Sequence, residues 1–241
     1  MPEKVAIDPR FNGPPDSANG GYTCGLLAQS IDGPAEVTLR RPPPIGRELS
    51  VERDGDRVVM LDGEELVAEG IPVEPDWEVP GPVTFAEAEA AVAASYFLQR
   101  PRPFVTCFVC GPDRPDDDGL ALYPGPVDGR ELIASPWTPD DSLAGDDGHV
   151  ASEIVWASLD CPTSGPVANP PEPDGSLRPI VVARLAADIR AAVEVGRPHV
   201  VTAWAIEVDG RKRHAGSALF TADGELLASA RALWIELREP A

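Results

Sequence analysis

The chain has no apolar run approaching the roughly 18 to 20 residues of a membrane-spanning helix. Its start, MPEKVAIDPRFNG, lacks the apolar core of a signal peptide. Basic residues are scarce: 20 Lys and Arg stand against 40 Asp and Glu, for a net charge of −20. The one basic cluster, Arg211-Lys212-Arg213, lies beside Asp209, so no face is built for a phosphate backbone or an anionic bilayer. Nucleic acid and membrane are therefore not expected as partners, and a cytoplasmic location is. Cysteine is sparse, 4 in 241 residues, and in that compartment free thiols are expected. Cys107 and Cys110 form a Cys-x-x-Cys pair without a second one, and Cys24, Cys161, His149, His199 and His214 are scattered. A structural zinc site needs four ligands, so no metal or cofactor is expected. GxSxG and GxxxxGK[ST] are absent as well, which removes a nucleophile elbow and a phosphate-binding loop.

What is present describes a folded chain. Hydrophobic residues make up 43% and charged residues 25%, and 28 prolines fall in short breaks that read as turns between strands. The organising stretch is NGGYTCGLLA, residues 19–28. Asn19 reads as an N-cap, Gly20 and Gly21 leave the first helical turn bare, and Leu26 and Leu27 begin an apolar face. The unpaired N–H groups of such a helix start suit an anionic or polarised oxygen.

Around it, VAIDPRFN (5–12) reads as an edge strand broken at Pro9. Residues 35–41, 48–53, 57–61 and 66–73 read as short strands, with Asp54-Gly55 and Asp62-Gly63 as hairpin turns. A proline-dense linker follows, then Thr84 to Gln99, where a Thr84/Glu87 capping box and an alanine-rich run predict the best helix of the chain. From Phe104 the texture is again β, through GLALY and residues 130–135. VASEIVWASLDCP predicts a second apolar helix ending at Pro162, and four strand-like runs follow at 180–189, 199–208, 213–221 and 226–237.

The two β portions superpose in order. Ile45-Gly46-Arg47 matches Val195-Gly196-Arg197, Asp54-Gly55 matches Asp209-Gly210, and DGEELVAEG from Asp62 matches DGELLASAR from Asp223. Three anchors in register predict a duplicated unit. Each unit alone is too small to bury much surface, and joining the two sheets edge to edge removes that difficulty.

Three segments carry a family resemblance: NGGYTCGLLA, CFVCGPDRPDDDGLALYPG and GHVASEIVWASLD. They resemble the double-hotdog acyl-CoA thioesterase superfamily (thioesterase II-like and 4-hydroxybenzoyl-CoA thioesterase-like), with Val150 where a glycine is usual. The resemblance implies an α+β fold, a double hotdog in which two helix-plus-antiparallel-sheet repeats fuse into one curved sheet. Residues 1–80 would form the N-terminal hotdog, 81–103 a linker helix and 104–241 the C-terminal hotdog. It also implies an acyl-CoA or other acyl thioester as ligand, and a homodimer by analogy. Carried over, Asp160 is the candidate base, with Asn19 orienting water or thioester. Gly20 and Gly21 are candidate carbonyl donors, and Tyr22, His149 and Trp156 candidate substrate contacts. Each has a plainer alternative: Asp160 capping the turn 161–164, Asn19 capping its helix, His149 on a solvated loop. A non-catalytic acyl-CoA or lipid-binding module, a hydratase or dehydratase using Asp146-x-x-His149, and an assembly scaffold remain rival readings. Arg40, Arg41 and Arg47 offer local compensation for an anionic ligand on an acidic chain.

Overall fold

The computed structural model describes residues 3–99, 101–115, 118–169 and 178–237. The first half comprises β1 (Glu3–Ala6), α1 (Gly20–Ala28), β2 (Ala35–Leu39), β3 (Glu48–Asp54), β4 (Arg57–Asp62) and β5 (Glu65–Pro72). α2 (Phe85–Ala91) and β6 (Gly125–Pro126) precede the second half. That half has β7 (Ile133–Trp137), α3 (Ser152–Ser164), β8 (Ile180–Ile189), β9 (His199–Asp209), β10 (Lys212–Thr221) and β11 (Leu226–Glu236). The strands form one 11-stranded sheet in the order β1-β3-β4-β5-β2-β8-β11-β10-β9-β7-β6.

The duplication is visible in that order: 1-3-4-5-2 in the first half recurs as 7-9-10-11-8 in the second. The halves meet where β2 pairs antiparallel with β8, from Ala35 opposite Ala187 to Thr38 opposite Arg184. The glycines of all three sequence anchors have positive φ in both halves: Gly46 and Gly196, Gly55 and Gly210, Gly63 and Gly224. A side chain would be strained there, which is why these short motifs survive in register. Even the isolated bridges repeat, with Asn12–Ala18 ahead of α1 and Ala144–Val150 ahead of α3. The fold is the double hotdog expected from the sequence.

α1 and α3 lie side by side on one face of the sheet. α1 is buried nearly all round, because it packs on α3 and on strands of both halves, so it carries no polar stripe. A second apolar cluster, with Ala88, Ala91, Val200, Ala218 and Phe220, lies apart from the main core. The neighbours Val201 and Leu219 belong to that main core, so successive strand residues serve opposite faces and α2 covers the far one.

Four local expectations are corrected. The predicted helix 84–99 keeps its capping box but gives way to 3-10 turns at Val92–Ala94 and Tyr96–Leu98. Packing overrides propensity here: Gly125 sits so close to Ala91 that a Cβ would lie 1.8 Å from its carbonyl oxygen. Ser95 then bonds Pro124 and caps the next turn, turning Phe97 into the core. Residues 104–115 and 118–123 form turns and irregular backbone rather than strands, with Phe104 and Ala121 at positive φ. Their apolar character reflects a loop buried on the core through Phe108, Val109, Leu120 and Leu122, which a short apolar run does not distinguish from a strand. The first strand stops at Ala6, because Pro9–Phe11 is a 3-10 turn. α3 runs through Pro162 to Ser164. Hydroxyls of Thr163, Ser164 and Ser217 bond the carbonyls of Asp160, Cys161 and Leu159, so its last turns stay satisfied.

Candidate functional site

α1 and α3 cross with unusually little between them. A methyl on Gly21 would meet Asp160 Cβ at 2.4 Å and the Trp156 carbonyl at 2.8 Å, and one on Gly25 would meet Glu153 Cα at 2.5 Å. The pair Gly21-x-x-x-Gly25 lines one face of α1, and small residues four apart permit this approach. The helices run antiparallel, Gly21 facing Asp160 and Gly25 facing Glu153. The crossing therefore lays the late α3 residue Asp160 over the start of α1.

Asp160 is 1% exposed. Its Oδ2 accepts the Gly21 N–H at 2.8 Å and Asn19 Nδ2 at 3.2 Å. Its Oδ1 has no hydrogen-bond partner in the protein. Burial pushes this carboxyl up to about 7, reinforced by negative charge on Cys107 and opposed by the Gly21 and Asn19 donors. Of the first N–H groups of α1, Tyr22 bonds Asn19 Oδ1, Thr23 bonds the Asn19 carbonyl and Gly21 bonds Asp160. Asn19 is thus both the N-cap of α1 and a donor to Asp160, and its two alternative roles coexist.

Asn19, Gly20 and Asp160 line a cavity of about 520 Å³. Its walls carry Leu39, Phe97, Ile180, Val182 and Trp234, and Arg40, Arg41, Arg102 and Arg178 also line it. Arg47 lies instead beside a neighbouring, more polar depression. Of the residues singled out in the sequence, the structure brings Asp160, Asn19 and Gly20 to the cavity; Gly21 does not line it, and its N–H, expected for a substrate carbonyl, is given to Asp160 instead. Tyr22 is a core residue stacked on Phe11 at 4.1 Å between ring centroids. Trp156 is buried at the helix crossing. His149 stands on the loop before α3 with Nδ1 3.4 Å from Asp147. None of these three lines the cavity.

Sequence reading sets the cysteines aside, because a structural zinc site needs four ligands and Cys161 is distant in the chain. Cys107, Cys110 and Cys161 are free, buried and part of the cavity wall. Donors from Cys110, Cys161 and nearby backbone amides hold the Cys107 thiol well below its usual range, while Cys161 is pushed up. The signal present in the chain is the Cys-x-x-Cys-Gly turn; its third partner is distant in sequence.

No family model and no curated protein matches the chain. Solved structures do. An acyl-CoA thioesterase II, TesB2, from Mycobacterium marinum is similar over 99% of this chain and 93% of its own, at 13% identity and a TM-score of 0.59. A hot-dog-fold protein of unknown function from Alicyclobacillus acidocaldarius covers 99% and 93%, at 13% identity and 0.58. The tesB protein of Mycobacterium avium subsp. paratuberculosis covers 92% and 88%, at 12% identity and 0.55. These likenesses establish the double-hotdog fold of thioesterase II-like proteins across the chain. Among the described residues no helix is long and apolar enough to cross a membrane.

Proposed function

We propose that this chain is an acyl-CoA thioesterase-like hydrolase with its reacting centre at the start of α1. The observation that carries this reading is the geometry of Asp160: it lines a largely apolar cavity, one carboxylate oxygen is fixed by Gly21 and Asn19, and the other is buried without a partner. A thioester carbonyl placed against the Gly20 peptide N–H meets the positive end of the helix, which stabilises oxyanion charge without reorganisation. The Asp160 carboxylate accepts the proton of a water molecule as that water attacks the carbonyl carbon. The C–S bond then breaks, and the departing thiolate takes up the proton held by Asp160, which restores the carboxylate. Asn19 acts as a positioning residue that holds the carboxylate at the cavity wall through Oδ2. The apolar wall suits an acyl chain; Arg102 adds positive charge to the lining, whereas Arg40, Arg41 and Arg178 there are paired with Glu69, Glu65 and Glu236. The name of the similar Mycobacterium marinum structure, an acyl-CoA thioesterase II, agrees with this substrate class.

The test is hydrolysis of a panel of acyl-CoAs by the wild type and Asp160→Asn. The asparagine carbonyl can accept the same two N–H groups, so the fold is kept while the base is lost. Turnover should fall by roughly 10²- to 10⁴-fold, the usual contribution of a general base. A variant within tenfold of wild type would sink the assignment. One observation favours a second reading, a non-catalytic acyl-CoA-binding module: Asp160 Oδ2 serves as a tie between the helices. Absence of wild-type turnover, with a melting temperature raised by acyl-CoA, would select it. The hydratase alternative has less support, because His149 lies away from the cavity.

A further inference from the structure

We propose that Cys107, Cys110 and Cys161 form a three-thiolate zinc site in the cavity wall, with the fourth coordination position left to a group from the cavity. Their Sγ atoms all lie within 4.8 Å of one another, and Cys107 Sγ is 3.6 Å from Cys161 Sγ. A tetrahedral ion with Zn–S bonds of about 2.3 Å holds its sulfurs roughly 3.8 Å apart. The observed separation already matches such an edge.

The chain builds this convergence from two directions. Cys107 and Cys110 share one tight turn, closed by the Gly111 N–H donating to the Cys107 carbonyl at 2.8 Å. A Cβ at Gly111 would stand 2.5 Å from Cys107 N and 2.6 Å from its oxygen, so the turn admits only glycine there. Cys161 arrives from α3, 54 positions beyond Cys107. Two of the sulfurs also have an N–H donor: Arg102 donates to Cys110 Sγ at 3.4 Å, and Asn19 Nδ2 donates to Cys161 Sγ at 3.4 Å.

Such a set fits metal-bound thiolates. Outer N–H donors orient thiolate ligands and offset their charge. Three thiolates around Zn²⁺ leave one negative charge, and the Arg102 guanidinium stands beside it. An all-sulfur set selects a soft or borderline ion and rejects magnesium and calcium. A disulfide between Cys107 and Cys161 would use two sulfurs and leave the third, with its arginine, unexplained. All three residues line the cavity, and three protein ligands with one open position is the arrangement of zinc sites that admit a further ligand. The site does not depend on the thioesterase reading.

The test uses the full chain, stripped by chelation under reducing conditions and titrated with Co²⁺. The expected result is sulfur-to-cobalt charge-transfer absorption with the strong visible bands of a tetrahedral ion. It should saturate at one ion per chain and be displaced by zinc. Cys107→Ser and Cys161→Ser should lose the signal and Cys24→Ala should keep it. If the serine variants fail to fold, the wild-type spectrum and stoichiometry still decide. Weak octahedral bands, no uptake, or a Cys107–Cys161 disulfide found by mass spectrometry in protein kept under reductant would each overturn the proposal.

Discussion

Substituting Gly25 by alanine separates what the helix crossing does from what the cavity does. An added methyl would lie 2.5 Å from Glu153 Cα, 2.9 Å from Trp156 Cβ and 3.0 Å from Glu153 Cβ. Carbon atoms pack at about 3.5–4.0 Å, so α1 and α3 must part by about 1 Å, and the nearest obstacle is backbone that cannot swing aside. Overpacking of this kind costs about 1–3 kcal/mol, and Gly25→Ala belongs at the upper end. Alanine returns about 1 kcal/mol of helix propensity. The net loss is therefore about 2 kcal/mol, or roughly 4–8 °C in melting temperature for a chain of this length. Gly20→Ala is the contrast. Its methyl meets the side-chain ends Val182 Cγ1 at 2.1 Å and Leu39 Cδ1 at 3.2 Å, and it lies 3.6 Å from Asp160 Oδ2. It should melt closer to wild type while impairing ligand binding or turnover. Thermal unfolding by circular dichroism, with urea midpoints at constant m-value, reads both variants. A Gly25→Ala protein that melts at or above wild type would refute the close-crossing argument.

Further outcomes follow from single contacts. Asn19→Ala removes the cap on Tyr22 and a donor to Asp160, so it should cost about 1 kcal/mol in denaturant titration and lower turnover as well. Thr163→Val keeps the shape but deprives the buried Trp234 Nε1–H of its 2.7 Å acceptor. The expected loss is about 1–3 kcal/mol, with tryptophan fluorescence as the probe. Arg213, then Asn169 and Arg178, hold the Glu236 carboxyl below its ordinary value of 4.5. Its stabilisation is complete above that value and is lost as the pH falls through the lowered one. Glu236→Gln should thus melt lower than wild type at neutral pH and converge with it in acid. His149→Ala should leave hydrolysis unchanged, because that ring does not reach the cavity wall.

The sheet was legible because its signals are local. Asp54-Gly55, Asp62-Gly63 and Asp209-Gly210 announce turns whose glycines indeed have positive φ, and β-branched runs between them leave few choices of strand. Asp160 was legible as an acid closing the apolar run IVWASL, where only a paired or functional carboxylate is tolerated. The alanine-rich run 84–99 misled, because its helical propensity competes with Gly125 and Ser95, which are read only once the chain is folded. The Gly21-x-x-x-Gly25 spacing was present in the sequence, but its partner face on α3 was not adjacent. The cysteine cluster was hidden for the same reason, since Cys161 joins Cys107 across 54 positions.

The duplicated architecture also bears on how the proposed site is assembled. The matching bridges ahead of the two helices align Asn12 with Ala144 and Ala18 with Val150, so the caps Asn19 and Ala151 correspond. Continued along the helices, that alignment places Ala28 where Asp160 stands. The related position at the start of α3 therefore has neither a capping amide nor a carboxylate: Ala151 makes no side-chain cap bond, and Ala28 is apolar. The proposed arrangement is composite, with the helix start from the first repeat and the acid from the second. Because the two contributions meet through the Gly21–Asp160 contact, fusion of the repeats in one chain frees each helix to specialise. One keeps a bare, capped N-terminus, and the other keeps a buried acid that an identical copy would have to carry twice.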